Sequence, residues 1–170
     1  MNAEIEILKE QGLQKLADRM LAKRKRDMNR LLDTTHRLQL VGEFDGIEFI
    51  NDAKSQDLES TAFSLDSISK PVFWIVEAGP YQRNFANLDL DTLNELESVI
   101  VVGQNRAQTV EELFQLVDVV VEANTIQEAV DLSKELAFKG SCVLYSPAIP
   151  NNNTYGDFES RGDAFIQSLH

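Results

Sequence analysis

The sequence predicts an α/β fold: a doubly wound, mostly parallel sheet of about six strands that opens with an antiparallel hairpin and follows a long N-terminal helix. Short β-branched apolar runs alternate with helical segments along most of the chain, which is typical of a parallel sheet covered on both faces. An Asp-Gly pair separates the first two strand-like runs and indicates a hairpin. The 170 residues are enough for one domain with a real core.

The chain begins with a segment of helical periodicity. Ala3–Leu32 is predicted to form one helix because Leu13, Leu16 and Met20 recur near helical spacing. Gly12 weakens it locally, by about 1 kcal/mol relative to alanine. We therefore divide the chain into a basic amphipathic helix, residues 1–35, and an α/β domain, residues 36–170.

Charge is divided unevenly between these two parts. Residues 1–37 hold nine of the 16 basic residues, and the remainder has a net charge of −15. So acidic a body predicts no nucleic-acid partner and no anionic membrane partner. The run Lys23–Arg26 is either a solvated face or a docking surface for an acidic partner, such as the body of a second copy.

Compartment is indicated by what the sequence lacks. No apolar run approaches the roughly 20 residues that span a bilayer, and the acidic N-terminus has no apolar signal core. Cys142, the single cysteine, stands in an apolar run and is predicted to pack in the core. We expect a cytoplasmic protein.

The remaining elements follow in order. Leu38–Phe44 and Ile47–Asn51 form the predicted hairpin around Asp45-Gly46. Later strands are predicted at Val72–Val76, Val99–Val102, Val117–Val121 and Cys142–Tyr145, with helices at Asp57–Ile68, Val110–Leu116, Ile126–Lys139 and Phe158–Leu169. Leu88–Leu96 is ambiguous and compatible with a short helix.

Helix boundaries are signalled by capping residues. Thr109 with Glu112, and Thr125 with Glu128, have the spacing of capping boxes. Gly140 is predicted to stop the helix that Thr125 begins.

Polar residues follow the predicted strands where parallel strands end, an edge called here the carboxyl edge. Asn51, Asp52 and Lys54 come directly after one strand, and Arg83 and Arg106 follow soon after two others. Ligands of open α/β sheets bind at this edge, and positive charge near helix starts suits a carboxylate or phosphate. The alternative is that these are ordinary polar loops.

Several chemistries are excluded by the sequence. It contains neither the G-x-x-x-x-G-K-[ST] phosphate loop nor G-x-G-x-x-G. His36 and His170 are the only histidines, and neither has an evident serine partner for a hydrolase triad. We predict no catalytic residue and no metal ligand.

Three motifs together resemble the C-terminal domain of the Mur ligases, which has a Rossmann-like fold. His36-Arg37 resembles the segment that opens the domain, and Asn51-Asp52-Ala53-Lys54-Ser55-Gln56 resembles its Asn-Asp-Ser-Lys-Ala-Thr motif. Ser146-Pro147-Ala148, followed by Phe158, Arg161, Gly162, Asp163 and Phe165, resembles its closing motif. The resemblance covers His36 to the C-terminus.

The resemblance implies roles for five residues. Arg37 and Asp52 correspond to residues that face the nucleotide. Lys54 lies near the carboxylate of the incoming amino acid, Phe158 borders that pocket, and Asn151 stands where a serine holds the carboxylate. The full-length ligases use ATP and Mg²⁺ to form an acyl phosphate that the amino acid's amine then attacks; no cofactor is implied for this chain alone.

The sequence also departs from the family. It has no counterpart of the UDP-binding and ATPase domains, Ala53 and Gln56 replace the motif's serine and threonine, and Glu77–Arg83 replaces a glycine-rich turn with a lysine. We therefore expect no ligation by the chain alone, and a role in binding a small carboxylate or nucleotide, a partner protein, or both. Alternatives are part of an amide ligase for peptidoglycan precursors, acting in trans with a separate ATPase or as a fragment of a longer enzyme, and an oligomerisation or scaffolding module whose carboxyl edge Tyr81 blocks.

Overall fold

The computed structural model describes residues 11–24, 35–80, 83–152 and 154–170. Residues 11–24 form a helix (α1), as the helical periodicity predicts, and every residue of this helix is exposed. The rest of the predicted helix, including Lys25 and Arg26, lies outside the described residues, as do Tyr81 and Gln82.

A six-stranded sheet forms the centre of the body, as predicted. Its strands run in the order β1-β2-β6-β3-β4-β5. β1 is antiparallel to β2, and the other pairings are parallel. The strands are β1 (Gln39–Phe44), β2 (Ile47–Asn51), β3 (Val72–Glu77), β4 (Leu96–Val102), β5 (Val120–Ala123) and β6 (Cys142–Tyr145).

Helices cover both faces of this sheet. They are α2 (Leu58–Asp66), α3 (Leu90–Asn94), α4 (Ala107–Phe114), α5 (Ile126–Leu136) and α6 (Phe158–Gln167), with a 3-10 turn at Phe85–Asn87. One apolar cluster packs α2, α3 and α4 against Trp74, and a second packs α5 and α6 against Phe49 and Tyr145. The sheet is therefore doubly wound, with a core on each face.

The hairpin turn confirms the Asp-Gly signal. Asp45 and Gly46 have φ values of 54° and 78°, the left-handed pair that a two-residue hairpin turn requires.

Cys142 is fully buried in β6, and burial raises the pKa of its thiol to about 12.

Two helix boundaries differ from the prediction. Thr109 lies inside α4, which begins at Ala107, three residues before the predicted start, and has no side-chain cap. The predicted capping box is therefore wrong, and the Thr109 hydroxyl accepts from Arg83. Gly140 does not stop α5, which ends at Leu136. Its φ of 92° places it in the turn before β6, where its N–H donates to Gly46.

Other boundaries agree within a few residues. Thr125 caps α5 by accepting from the Glu128 amide, as predicted. Val117 donates to Leu113 at the end of α4, so β5 begins three residues later than the prediction. Within the part of the chain that the structure describes, no helix has the length and apolarity to cross a membrane.

Candidate functional site

The predicted motifs meet at the carboxyl ends of β2 and β6, which are neighbouring parallel strands. Asn51 is paired with Tyr145, so the turns that follow the two strands lie side by side. Asp52 donates its N–H to the Tyr145 carbonyl at 2.8 Å, and Ala148 donates to the Ser55 carbonyl at 3.2 Å. Ala148 has a φ of 57°, a strained conformation for alanine that such surrounding bonds hold in place.

Asp52 lies beneath this edge and is fully buried. Its two carboxylate oxygens accept from the Leu38 N–H at 3.1 Å and the Ser146 hydroxyl at 2.8 Å. Burial raises the pKa of Asp52 above 3.8, and these hydrogen bonds oppose the rise. Asp52 thus joins the segment before β1 to the end of β6, and its carboxylate has no exposed surface for a ligand.

His36 is buried beside the same strand end. The Asn51 amide donates to His36 Nδ1 at 2.9 Å, so the neutral ring carries its proton on Nε2, which lies 3.7 Å from Asp163. Gly162 makes room for this ring, because a Cβ atom there would overlap His36 Nδ1. His36 and Gly162 both belong to the motifs that resemble the Mur ligases. The structure shows why the two occur together, because the His36 ring occupies the space that a side chain at position 162 would need.

Arg161 clasps the two turns from below and is fully buried. Its guanidinium donates to the carbonyls of Ala53 at 3.0 Å and Ile149 at 3.0 Å, and to Pro150 at 3.4 Å. It also lies 3.8 Å from the Glu77 carboxylate. Arg161 therefore fixes the turn after β2 against the turn after β6.

Glu77, at the end of β3, was not identified as a site residue from the sequence. Its buried carboxylate accepts from the Tyr145 hydroxyl and, at 3.2 Å, from the Asn152 amide. Burial, with the Glu77 charge, raises the pKa of Tyr145 well above 10.0. The partners are 68 and 75 residues apart in sequence, so only the strand order β6-β3 could have indicated the contact.

Four of the predicted site residues stand above this buried network and form what we call the edge surface: Arg37, Lys54, Asn151 and Phe158. The Lys54 ammonium lies 5.6 Å from the centre of the Phe158 ring, and Phe158 packs edge-on against His36 at 6.1 Å. Arg37 is exposed between His36 and Leu38, whose φ values are 62° and 43°. Asn151 directly follows the carbonyls that Arg161 binds.

The edge surface has unused hydrogen-bonding capacity. The backbone N–H of Lys54 donates to the His36 carbonyl at 2.9 Å, but its ammonium group has no hydrogen bond and no carboxylate partner among the residues described. The buried Oδ1 atom of Asn151 also has no partner there. A buried acceptor without a donor costs free energy, so Asn151 is a strained point of this edge.

Arg83 and Arg106 are engaged with the protein, which favours the alternative of ordinary polar loops for these two residues. Arg83 donates to the Glu77 carbonyl at 2.7 Å and to Pro147 at 3.3 Å, and burial lowers its pKa to about 10. Arg106 pairs with Glu122 at 2.9 Å and donates to the Gly103 carbonyl. Both side chains close loops of the domain.

Carboxylates border the edge surface. Asp57 caps α2 by accepting from Ser60 at 2.7 Å, and Asp157 caps α6 by accepting from its Ser160 at 2.6 Å. This Ser160 bond lowers the pKa of Asp157. The helix starts are therefore already occupied by anionic side chains, and Lys54 and Arg37 are the cations of the edge surface without a carboxylate partner among the described residues. Among the described residues, no three His, Cys, Asp or Glu side chains are grouped as a metal site.

Sequence comparison finds relatives over most of the chain. It is 28% identical over 130 residues to the UDP-N-acetylmuramoylalanine–D-glutamate ligase of Cytophaga hutchinsonii, a match that covers 76% of this chain and 29% of the ligase. The corresponding ligase of Leuconostoc mesenteroides is 33% identical over 136 residues, covering 79% and 30%. The chain thus spans about 30% of the length of these relatives. No protein-family profile matches it.

Solved structures with the same fold come from related ligases. A domain assigned to a UDP-N-acetylmuramate:L-alanyl-gamma-D-glutamyl-meso-diaminopimelate ligase from Haemophilus ducreyi has a TM-score of 0.54 at 16% identity, covering 79% of this chain and all of that one. A UDP-N-acetylmuramate-alanine ligase from Thermotoga maritima has a TM-score of 0.50 at 14% identity, covering 79% and 30%. At these identities the likeness concerns the fold.

Proposed function

We propose that this chain, a homologue of the UDP-N-acetylmuramoylalanine–D-glutamate ligases with the fold of the Mur ligase C-terminal domain, is a binding domain for a small carboxylate. The observation that carries the proposal is the state of Lys54. Its ammonium stands over Phe158 at the carboxyl edge, whereas the neighbouring Arg83 and Arg106 are engaged with the protein. Lys54 thus offers a fixed positive charge where α/β sheets bind ligands.

The charges around Lys54 favour a small zwitterion over a nucleotide. Asp57 and Asp157 stand next in sequence to the Lys54 turn and to Phe158, and Asp163 lies beside His36. A nucleoside diphosphate brings several negative charges close to these carboxylates, which repel it. An amino acid presents a carboxylate to Lys54, and its ammonium group is attracted by the flanking carboxylates.

The roles of Arg37 and Asp52 divide under this proposal. Arg37 is exposed and free to contact a ligand or a second protein. Asp52 is buried and presents no atom at the surface, so it acts by fixing the turn that carries Lys54. A nucleotide contact at Asp52 requires the Leu38 and Ser146 bonds to open.

The rival proposal is that the domain completes an ATP-dependent ligase in trans. It is favoured by the clasp of Arg161 and Asp52, which holds the carboxyl edge in a fixed shape, and by the share of the relatives' length that this chain spans. In that case the ATP and Mg²⁺ of the reaction belong to the partner polypeptide, and binding at Lys54 depends on the partner.

Calorimetric titration of the 170-residue protein with D-glutamate, ADP and a UDP-sugar tests the proposal. We expect binding of the amino acid, and Lys54→Ala should weaken it by roughly five- to a hundred-fold, since the charged contact contributes about 1–3 kcal/mol. Lys139→Ala is the matched control. Lys139 is an exposed body lysine beside Gly46, at the opposite end of β6, and its loss removes the same charge.

Three results would contradict the proposal. Binding of none of the three compounds removes the ligand site. Equal weakening by Lys54→Ala and Lys139→Ala shows a general charge effect. Binding of ADP in preference to D-glutamate reverses the ligand class inferred from the flanking carboxylates.

A further inference from the structure

The free edge of the sheet carries an uncovered apolar and acidic groove. Strand β5 pairs only with β4 within the described residues, and α4 lies beside it. A groove of about 560 Å³ runs along this edge, lined by Ala107, Val110, Glu111, Phe114, Gln115 and Glu122. We call these six residues the free-edge groove.

The groove is apolar along its helical side. Ala107, Val110, Glu111 and Phe114 recur at helical spacing on one face of α4. Phe114 is 63% exposed, so much of its apolar surface contributes no hydrophobic free energy in the single chain. Adjacent exposed strand edges and apolar surface of this kind mark interaction sites.

The groove is also acidic. Residues 107–122 include Glu111, Glu112, Asp118 and Glu122 and no lysine or arginine. Arg106 neutralises Glu122 through a 2.9 Å ion pair. Glu111 is exposed on the groove face and has no ion pair within the described part of the chain, so its charge is available to a partner.

Helix α1 has the complementary chemistry. Leu13, Leu16 and Met20 are exposed at helical spacing, and Met20 is 65% exposed. Residues 11–24 contain four basic side chains, including Lys15 and Arg19, and one acidic side chain. The apolar stripe from Leu13 to Met20 spans eight residues, as does the stripe from Ala107 to Phe114 in α4, so both are about 10 Å long.

We propose that α1 of one copy docks in the free-edge groove of a second copy, and that two chains exchange their helices reciprocally. One chain carries both halves of the contact, matched in apolar length and opposite in charge, and neither half is covered by the residues that the structure describes. Reciprocal exchange buries all four surfaces and closes the assembly at two copies, whereas a one-way contact leaves ends that extend into a filament. The inference is independent of any ligand at Lys54.

Sedimentation velocity of the full chain over a range of concentrations tests this dimer. We expect dimers at low salt and weaker association near 1 M salt, where the screening length falls to about 3 Å. Phe114→Glu and Met20→Glu should each raise the dimer dissociation constant at least about ten-fold. Phe63→Glu is the matched control, because Phe63 is 66% exposed on α2 and lies outside the groove.

A charge exchange identifies the contacting surfaces. Glu111→Lys should weaken the dimer, and combining it with Lys15→Glu and Arg19→Glu in the same chain should restore association at low salt. Circular dichroism of each variant establishes that it is folded. Because Met20 and Glu111 are exposed, these two variants carry the test if Phe114→Glu unfolds the body.

The inference is wrong if the parent chain sediments as a monomer at every concentration, or if Phe63→Glu dissociates the dimer as much as Phe114→Glu does. It is also wrong if Met20→Glu dissociates the dimer while Phe114→Glu and Glu111→Lys do not, because α1 then pairs with another α1. Failure of the charge exchange to restore association would overturn it as well.

Discussion

The motif residues of this domain separate into a buried group and an exposed group. Asn51, Asp52 and Arg161 are fully buried, and their polar atoms contact the protein. Lys54 and Arg37 reach the surface, and their charged groups have no polar partner within the described residues. Asp52 and Lys54 are neighbours in one motif, yet their side chains do different work.

This difference shows what a motif resemblance measures. The buried group holds the turns after β2 and β6 against each other, which any domain with this edge requires whether or not it binds a ligand. The exposed group determines what the edge can bind. Likeness in the first group therefore establishes the fold, and only the second group bears on function.

Arg161→Ala should break the buried group and have the largest effect on stability. It leaves the Ala53, Ile149 and Pro150 carbonyls and the Glu77 carboxylate with fewer partners in a dry site, which costs about 3–5 kcal/mol. Urea denaturation measures the free energy of unfolding. Arg106→Ala is the matched control, because it removes an arginine that also binds a carbonyl and a carboxylate, but at the surface; it should cost about 1 kcal/mol or less. Similar losses in the two variants would mean that burial of Arg161 contributes nothing.

Gly162→Ala should have the next largest effect, about 1–3 kcal/mol of destabilisation. In an exposed helix this change stabilises by up to about 1 kcal/mol; here the methyl group overlaps the His36 ring, so the sign reverses. Thermal unfolding of the single variant, of His36→Ala and of the double variant measures the coupling. The double variant should be more stable than the sum of the single effects predicts. Additive effects would show that the ring and Gly162 do not compete for space.

The buried group explains how much of this structure the sequence could predict. The hairpin, the six strands and the caps at Thr125 depend on residues close in sequence, so local patterns were enough. The failures depend on distant partners: Thr109 binds Arg83 from 26 residues away, and Arg106 reaches Glu122 across 16. Spacing alone could not show that these two arginines are engaged and Lys54 is not.

Asp52 should make stability depend on pH in a defined direction. Burial raises its folded pKa above 3.8, so the folded state holds the proton more tightly than the unfolded chain does. Its favourable contribution is present below pH 3.8 and is lost as pH rises through the folded pKa. The free energy of unfolding of the parent minus that of Asp52→Asn should therefore fall from acid to neutral pH. Urea titrations of both proteins across this range measure the difference, which cancels groups common to both. A difference that rises with pH would show that the Ser146 and Leu38 bonds outweigh burial.

Lys54→Ala should have the smallest effect on stability, at most about 1 kcal/mol, because the ammonium of this half-buried lysine contributes only its contact with the Phe158 ring. Urea denaturation of this variant beside Arg161→Ala compares the two groups directly. Arg161→Ala should remove much of the free energy of unfolding, and Lys54→Ala should leave it nearly unchanged. The same Lys54→Ala protein is then used for D-glutamate titration, so that a loss of binding cannot be attributed to a loss of folding. A destabilisation of about 3 kcal/mol or more would place Lys54 in the buried group. The edge surface would then lack the residue that indicates a ligand site and not merely a closed loop.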